Sequence, residues 1–307
     1  SRNLAEYLRT YRDLLKGDIW LICDGHVHQN RQQSLVFGVR GVVSLELTVF
    51  GPQRALHSGH YAGWVPNPAA RLARLLSTFT DGEGRILVKS FYDGVVPFNA
   101  AERAAITKLP PIEEMLRHDH GIAEVEGGGQ RLHATYAFPT LNIRGMKAAN
   151  TGATAANIVP SEATAAIDIR LVKGLDWRTQ LSRVREHIAA QGYLVLDREP
   201  TPGERRRHAK IARVTSGGGY NSVRTPLDLP LAAELASVIE SVTGPVVRIP
   251  SMGGSVPLSM FEEETRMPMV IVPIVNHDNN QHAPNENLRL QNLWDGIRLF
   301  TALLTRY

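Results

Sequence analysis

Asp24, His57, Asn157, Arg170 and His282 are the side chains whose types best suit catalysis, metal binding or substrate recognition. Asp24 follows the apolar run Ile19-Trp20-Leu21-Ile22-Cys23, at the carboxyl end of a strand, where sites form in open α/β sheets. Taken alone, such an Asp more often closes a turn or caps a helix than binds a metal. His26 and His28 follow at i, i+2, a spacing that could chelate but is usually incidental in a loop. His57 lies in Leu56-His57-Ser58-Gly59-His60, where small neighbours let a ligand approach the backbone. The plain alternative is a polar loop.

Asn157 stands in Asn157-Ile158-Val159-Pro160, and Arg170 in the strand pattern Ala165 to Leu171. Alternation sends Ile167, Ile169 and Leu171 to one face and Ala166, Asp168 and Arg170 to the other. Arg170 could therefore offer its planar fork to a carboxylate, or form a surface salt bridge with Asp168 or a neighbour. Gly253-Gly254-Ser255, ahead of a helix expected to start at Ser255, suits an anionic group through its backbone N–H groups. Glu262-Glu263-Glu264 falls in that helix and reads as an acidic face toward water. Gly217-Gly218-Gly219 is followed by no Lys-Ser/Thr, so a phosphate loop is not supported.

Several elements must position these residues. A helix is expected over 3–16, with Leu4, Tyr7, Leu8, Tyr11, Leu14 and Leu15 on one face. Ile19 to Cys23 reads as a strand buried on both faces, with Cys23 a small core residue. Gly41 to Phe50 alternates like an antiparallel strand with one buried face, and a boundary is placed at Arg40-Gly41. Asn67-Pro68 has the form of an N-cap and first-turn proline, with Leu72, Leu75, Leu76 and Phe79 inward.

Residues 80–130 read as a long excursion with one short helix at 111–118. Strands are expected at 134–143, 163–172, 193–198 and 210–215, and helices at 176–191 and 230–243. That order has the texture of a four-stranded antiparallel sheet with two helices on one face. A short strand after Gly244-Pro245, a buried strand at Met269–Pro273 and a helix at 288–305 close the chain. In the last helix Leu293, Ile297, Phe300 and Leu304 are expected inward.

The 307 residues suffice for two domains. An apolar share of 43% against 21% charged is that of a globular protein rather than a disordered one. No apolar run is long enough to span a bilayer, so no membrane partner is expected. The net charge of +4 is concentrated at Arg205-Arg206-Arg207-His208-Ala209-Lys210, which reads as a solvated loop. No aromatic residue interleaves with it, so nucleic acid is not an expected partner. A single cysteine excludes an internal disulfide framework and fits a cytoplasmic location. No signal-peptide pattern opens the chain; Ser1-Arg2-Asn3 leads straight into helix, as in an internal fragment or processed chain.

Singly these features are weak, but their order is informative. Asp24 after a strand is followed by Phe37-Gly38-Val39-Arg40-Gly41, Leu56-His57-Ser58-Gly59 and Phe138-Pro139-Thr140-Leu141. Asn157-Ile158-Val159-Pro160, Ile169-Arg170, Gly253-Gly254-Ser255 and His282 with Asn285-Glu286 complete the series. In this the chain resembles metallopeptidase family twenty, the dinuclear zinc peptidases that include aminoacylase, carnosine dipeptidase and succinyl-diaminopimelate desuccinylase. The carnosine-dipeptidase branch is the most similar.

The resemblance implies an α/β catalytic domain, here partial, over 1–40 and 252–307, with an α+β lid and dimerisation domain inserted at 41–251. It implies hydrolysis of a peptide or N-acyl amino-acid amide bond, with two divalent ions, zinc foremost and manganese or cobalt acceptable. Asp24 and His282 match one ligand of each ion. His57 matches a lid histidine that stabilises the oxyanion across the dimer. Asn157 and Arg170 match lid residues that hold the substrate, and Gly254 and Ser255 match the hinge at its terminus. The family's His-x-Asp motif, bridging carboxylate and Glu-Glu pair have no counterpart here, so this chain alone is expected to be inactive and part of a longer enzyme. The alternative is a non-catalytic dimerisation or ligand-binding module.

Overall fold

Two sheets organise the chain, and the backbone passes from one to the other at Arg40. The computed structural model describes residues 3–306; Ser1 and Arg2, from the expected helical opening, and Tyr307 lie outside the described residues. The larger sheet has the order β6-β8-β4-β10-β9, where β4 is Gly41–Phe50, β6 Thr140–Lys147, β8 Glu162–Leu171, β9 Leu194–Leu196 and β10 Ile211–Tyr220. β4 forms an unbroken antiparallel ladder with β8 from Gly41↔Leu171 to Phe50↔Glu162. The alternation sets this register: Val43, Leu45, Leu47, Ile167, Ile169 and Leu171 all lie on the buried face. Each fully buried aliphatic side chain contributes about 1.5–3 kcal/mol.

The expected four-stranded antiparallel sheet differs from this. There are five strands, and β9 pairs parallel with β10 because α8 (Pro202–Arg207) crosses between them. The strand expected at 134–143 begins only at Thr140; before it Leu132–Thr135 forms a short helix, α6. The helices that seal the sheet are α3 (Pro68–Leu76) and α7 (Trp177–Ala190), through Leu72, Leu75, Leu76, Val184 and Ile188. Asn67 accepts from Ala69 and Ala70 N–H groups and caps α3 ahead of its proline.

The smaller sheet runs β1-β13-β2-β12, with β1 at Trp20–Ile22, β2 at Ser34–Val36, β12 at Val247–Ile249 and β13 at Met269–Ile271. Helix α9 (Pro230–Thr243) packs against α11 (Leu290–Arg306) and, through Ala232, Leu235, Ala236 and Ile239, against Leu35, Val270 and Val272. α9 and β12 thus lie within the span 41–251 expected to be lid, yet they build the core of the smaller sheet. The helix expected at 230–243 is present, but α3 rather than α9 covers the larger sheet.

β1 is an edge strand, half-buried rather than buried on both faces, and Cys23 beyond it is exposed rather than in the core. The first helix, α1, is shorter than expected, Leu4–Thr10, and buries Leu8 while Tyr7, Tyr11 and Leu14 stay exposed. α11 buries Gly296, Leu299, Ala302 and Leu303; Ile297 and Leu304, expected inward, are 50% and 87% exposed. Gly296 sets this face: a Cβ there would sit 2.8 Å from Ile274. α10 (Ser259–Thr265) starts four residues after Ser255, and its Glu262 and Glu264 pair with Lys173 and Arg9.

The excursion over 80–130 holds two helices, α4 (Ala100–Lys108) and α5 (Glu113–His120). α4 carries a full capping box, Asn99 and Glu102 bonding each other's backbone N–H, a signal present in the sequence. Two small ladders complete the fold: β3 (Gly38–Val39) with β11 (Val223–Arg224), and β5 (Leu56–His57) with β7 (Ile158–Val159), β5 leading directly into α2 (Ser58–Tyr61).

Candidate functional site

Arg170 leaves β8 on the face opposite Ile169 and Leu171 and points toward the segment after β12. Its Nε donates to Asp168 Oδ2 at 3.0 Å and its Nη1 to Ser255 Oγ at 2.9 Å. Ser255 in turn donates to the Gly41 carbonyl at 3.2 Å. Asp168 is buried, accepts from Asn142 Nδ2 at 3.0 Å, and has Arg144 Nε 3.9 Å away. Arg170 thus forms the salt bridge with Asp168, the plainer of its two expected roles, and its Nη1 arm meets Ser255.

The glycine pair before Ser255 uses its carbonyls here. Gly254 O accepts from Arg40 N–H at 3.2 Å and Gly253 O from Arg40 Nε at 2.9 Å. The Arg40 guanidinium lies over the Tyr136 ring, 5.1 Å from its centroid. Gly253 is required by this packing, since a Cβ would sit 2.8 Å from the Tyr136 ring. Gly38 and Gly41 are equally constrained, with backbone atoms of Val223 and Tyr220 within 2.6 and 2.5 Å of a would-be Cβ.

His57 and Asn157 form a second group. β5 and β7 pair His57 with Ile158, and Ser58 N–H donates to Asn157 O at 2.9 Å. The His57 ring caps α2 by accepting from Gly59 N–H at 3.1 Å, and lies 4.7 Å from the His60 ring centroid. Both His57 and Asn157 are exposed.

Asp24 follows β1, accepts from Gly25 N–H at 2.6 Å, and lines a cavity of 380 Å³ with Val275, Asn279 and Glu286. His282 stands on the loop between β13 and α11, exposed and left-handed at φ 62. Buried Asn276 organises that loop, donating to Asp278 and Asn287 and accepting from Arg289 N–H. The Asn276 hydrogen bond, then that from Arg289, holds the Asp278 carboxyl down to about 2. Among the described residues no three His, Cys, Asp or Glu side chains gather as a metal site. The ligands present therefore do not fit a two-metal centre by themselves.

Sequence reasoning did not single out His133, and it placed Arg40 only within the Phe37-Gly38-Val39-Arg40-Gly41 motif. His133, on α6, stacks with His28 at 5.8 Å between ring centroids, and both are buried. Burial, then the neighbouring His28, pushes the His133 imidazole down to about 4; burial also lowers His28. Only His28 had an isolated sequence signal, its spacing from His26.

Comparison with known proteins puts these residues in a wider setting. Residues 37–194 match the model of the peptidase dimerisation domain. The Cys-Gly metallodipeptidase dug1 of Schizosaccharomyces pombe is 26% identical over 98% of this chain and 62% of its own length. The Beta-Ala-His dipeptidase of Homo sapiens is 25% identical over 93% of this chain and 55% of its own. The chain thus spans about three-fifths of the length of such curated relatives. An M20 family metallo-carboxypeptidase, Sso-CP2 from Sulfolobus solfataricus, superposes with a TM-score of 0.84 at 25% identity, covering 98% of this chain and 66% of that one. Human carnosine dipeptidase 1 shares the fold, with a TM-score of 0.80 at 22% identity, covering 97% and 62%.

Proposed function

The chain belongs to the M20 peptidases that carry the dimerisation domain, and from that premise we propose that it forms part of a metal-dependent hydrolase of dipeptides or N-acyl amino acids. The observation that carries this reading is the Arg170 guanidinium at Ser255, with Gly254 adjacent and Asp168 behind it. A fork held this way can bind and orient a substrate's free carboxylate, which fixes the scissile carbonyl relative to the reacting groups. His57 on β5 and Asn157 just before β7, both exposed, would supply hydrogen bonds to a carbonyl oxygen as charge develops on it, across a homodimer built through the lid. Asp24 and His282 would each contribute one ligand, the remaining ligands and the general base coming from outside the described residues.

On this reading the chain alone is inactive, and the domain division follows the sheets, with the lid around the larger one. The test uses the longer gene product on a dipeptide and on the same dipeptide with its carboxylate amidated. Arg170→Gln should lower kcat/KM for the free acid roughly 10–100-fold and leave the amide nearly unchanged. Equal losses on both substrates would remove Arg170 from carboxylate recognition. Robust hydrolysis by residues 1–307 alone, with the mass of the chain verified, would overturn the inactivity of this part. A non-catalytic ligand-binding module is distinguished by the longer product retaining no zinc after dialysis.

A further inference from the structure

Two imidazoles share the exposed turn that β5 leads into. The ring centroids of His57 and His60 are 4.7 Å apart, and the ring planes are tilted by 41°. Both side chains are exposed. Among the described residues the His60 ring touches those of His57 and Tyr61 and makes no hydrogen bond or ion pair. The backbone holds the two histidines in place. His57 pairs with Ile158 between β5 and β7, and Ser58 N–H donates to Asn157 O at 2.9 Å. Ala62 N–H then donates to Ser58 O at 2.9 Å and closes the turn that carries His60. A site on so short a tethered turn loses little freedom when a ligand bridges it.

Imidazole is the commonest metal-ligating side chain. With a metal–nitrogen bond of about 2.0–2.1 Å, a ring centroid stands roughly 3.2 Å from its ion, so two rings meeting one ion at about 90–110° have centroids roughly 4.5–5.2 Å apart. The 4.7 Å between His57 and His60 falls in that window. The tilt carries equal weight. A coordinated ion lies in the plane of each ring that binds it, and stacked parallel rings share no such point, whereas planes tilted by 41° intersect. A neutral imidazole offers one lone pair, and in His57 it sits on Nδ1, where Gly59 N–H donates at 3.1 Å. An ion therefore competes with Gly59 for the His57 ring, while His60 binds it without giving up a hydrogen bond.

We propose that His57 and His60 form a binding site for one transition-metal ion, copper(II) or zinc, with water completing its shell. Imidazole nitrogen favours these ions over magnesium or calcium, which take oxygen ligands. The site uses neither Asp24 nor His282, and with two protein donors it holds its ion more loosely than a centre of three or four. Its consequence for catalysis rests on the role of His57 in the proposed enzyme. An ion on this ring engages the group offered to the substrate carbonyl, so excess transition metal inhibits the longer protein.

The unmodified chain, labelled with 15N, is titrated with copper(II) and with magnesium. Copper(II) should broaden the amide signals of Gly59, His60 and Tyr61, and magnesium at the same concentration should leave them unmoved. His60→Gln should weaken copper(II) at these signals at least about tenfold, since one of two imidazole donors is gone. In the longer gene product, zinc beyond the amount that supports activity should lower kcat/KM. His60→Gln should raise the zinc needed for that loss about tenfold or more and leave the activity at low zinc unchanged. Unmoved Gly59, His60 and Tyr61 signals, or a folded His60→Gln that binds copper(II) as tightly, would each overturn the site. Copper(II) bound at His57 and His60 with no inhibition by excess zinc would keep the site and remove the catalytic role of His57 instead.

Discussion

Arg170 donates to the Ser255 hydroxyl across 85 positions of sequence, and that hydroxyl donates onward to Gly41 O. The two bonds fasten the end of β8, the start of β4 and the segment after β12 at one point. Ser255→Ala should therefore cost about 1–2 kcal/mol, because a half-buried donor and a carbonyl lose their partner together. Urea unfolding checks it: the midpoint falls while the slope is unchanged.

Glu102 and Arg224 form an ion pair at 3.0 Å with side chains only 3% and 9% exposed. Glu102 also accepts from Asn99 N–H in the capping box of α4. Glu102→Gln should leave Arg224 buried without a counter-charge and destabilise by roughly 3 kcal/mol. Replacing the pair together, Glu102→Gln with Arg224→Met, should cost less than Glu102→Gln alone. A double-mutant cycle in urea measures the difference.

His133 gives the protein an acid-sensitive term. Its folded-state value, about 4, lies below the ordinary 6.5. Between those values the unfolded chain binds a proton that the folded chain refuses, so stability falls as pH drops from 6.5 to 4 and levels off below. The loss from this group is ~3 kcal/mol. His28, also lowered by burial, acts in the same direction. Stability measured across that pH range should flatten in His133→Gln, and an unchanged slope would assign the loss elsewhere.

Gly41 stands where Arg40 passes the chain from one sheet to the other. A Cβ there would lie 2.5 Å from Tyr220 O and 2.7 Å from Ser222 N, both backbone atoms that cannot swing aside. Gly41→Ala should destabilise by about 3 kcal/mol or more, far beyond the usual effect of adding a methyl group. Gly217→Ala, in open space on β10, should cost under about 1 kcal/mol, and thermal unfolding of the two variants side by side checks the contrast.

The strands of the larger sheet were legible because alternation alone fixes which face is buried, and β4 and β8 followed it along most of their length. Which helix covers which sheet was not, because α3 and α9 are both apolar on one face and local pattern carries no address. Likewise α11 buries Leu299 and Leu303 instead of Ile297 and Leu304, a rotation set by Gly296 against Ile274. Arg170, Ser255 and Gly254 could be assembled from motif order. A cavity walled by Arg40, His28 and His133 could not, since positions 28, 40 and 133 meet only in three dimensions.

The order β1-β13-β2-β12 also sets a timetable. Ile22 finds its partner in Ile271, so the edge strand must wait for roughly 250 further residues to emerge. At about 5–20 residues per second the ribosome needs on the order of 10–50 s to deliver them. Throughout that interval the larger sheet, whose strands all lie between positions 41 and 220, can close, while Leu35 and Phe37 have no completed core to enter. The larger sheet can therefore form before the smaller one, and β1 and β2 wait longest for the strands that pair with them.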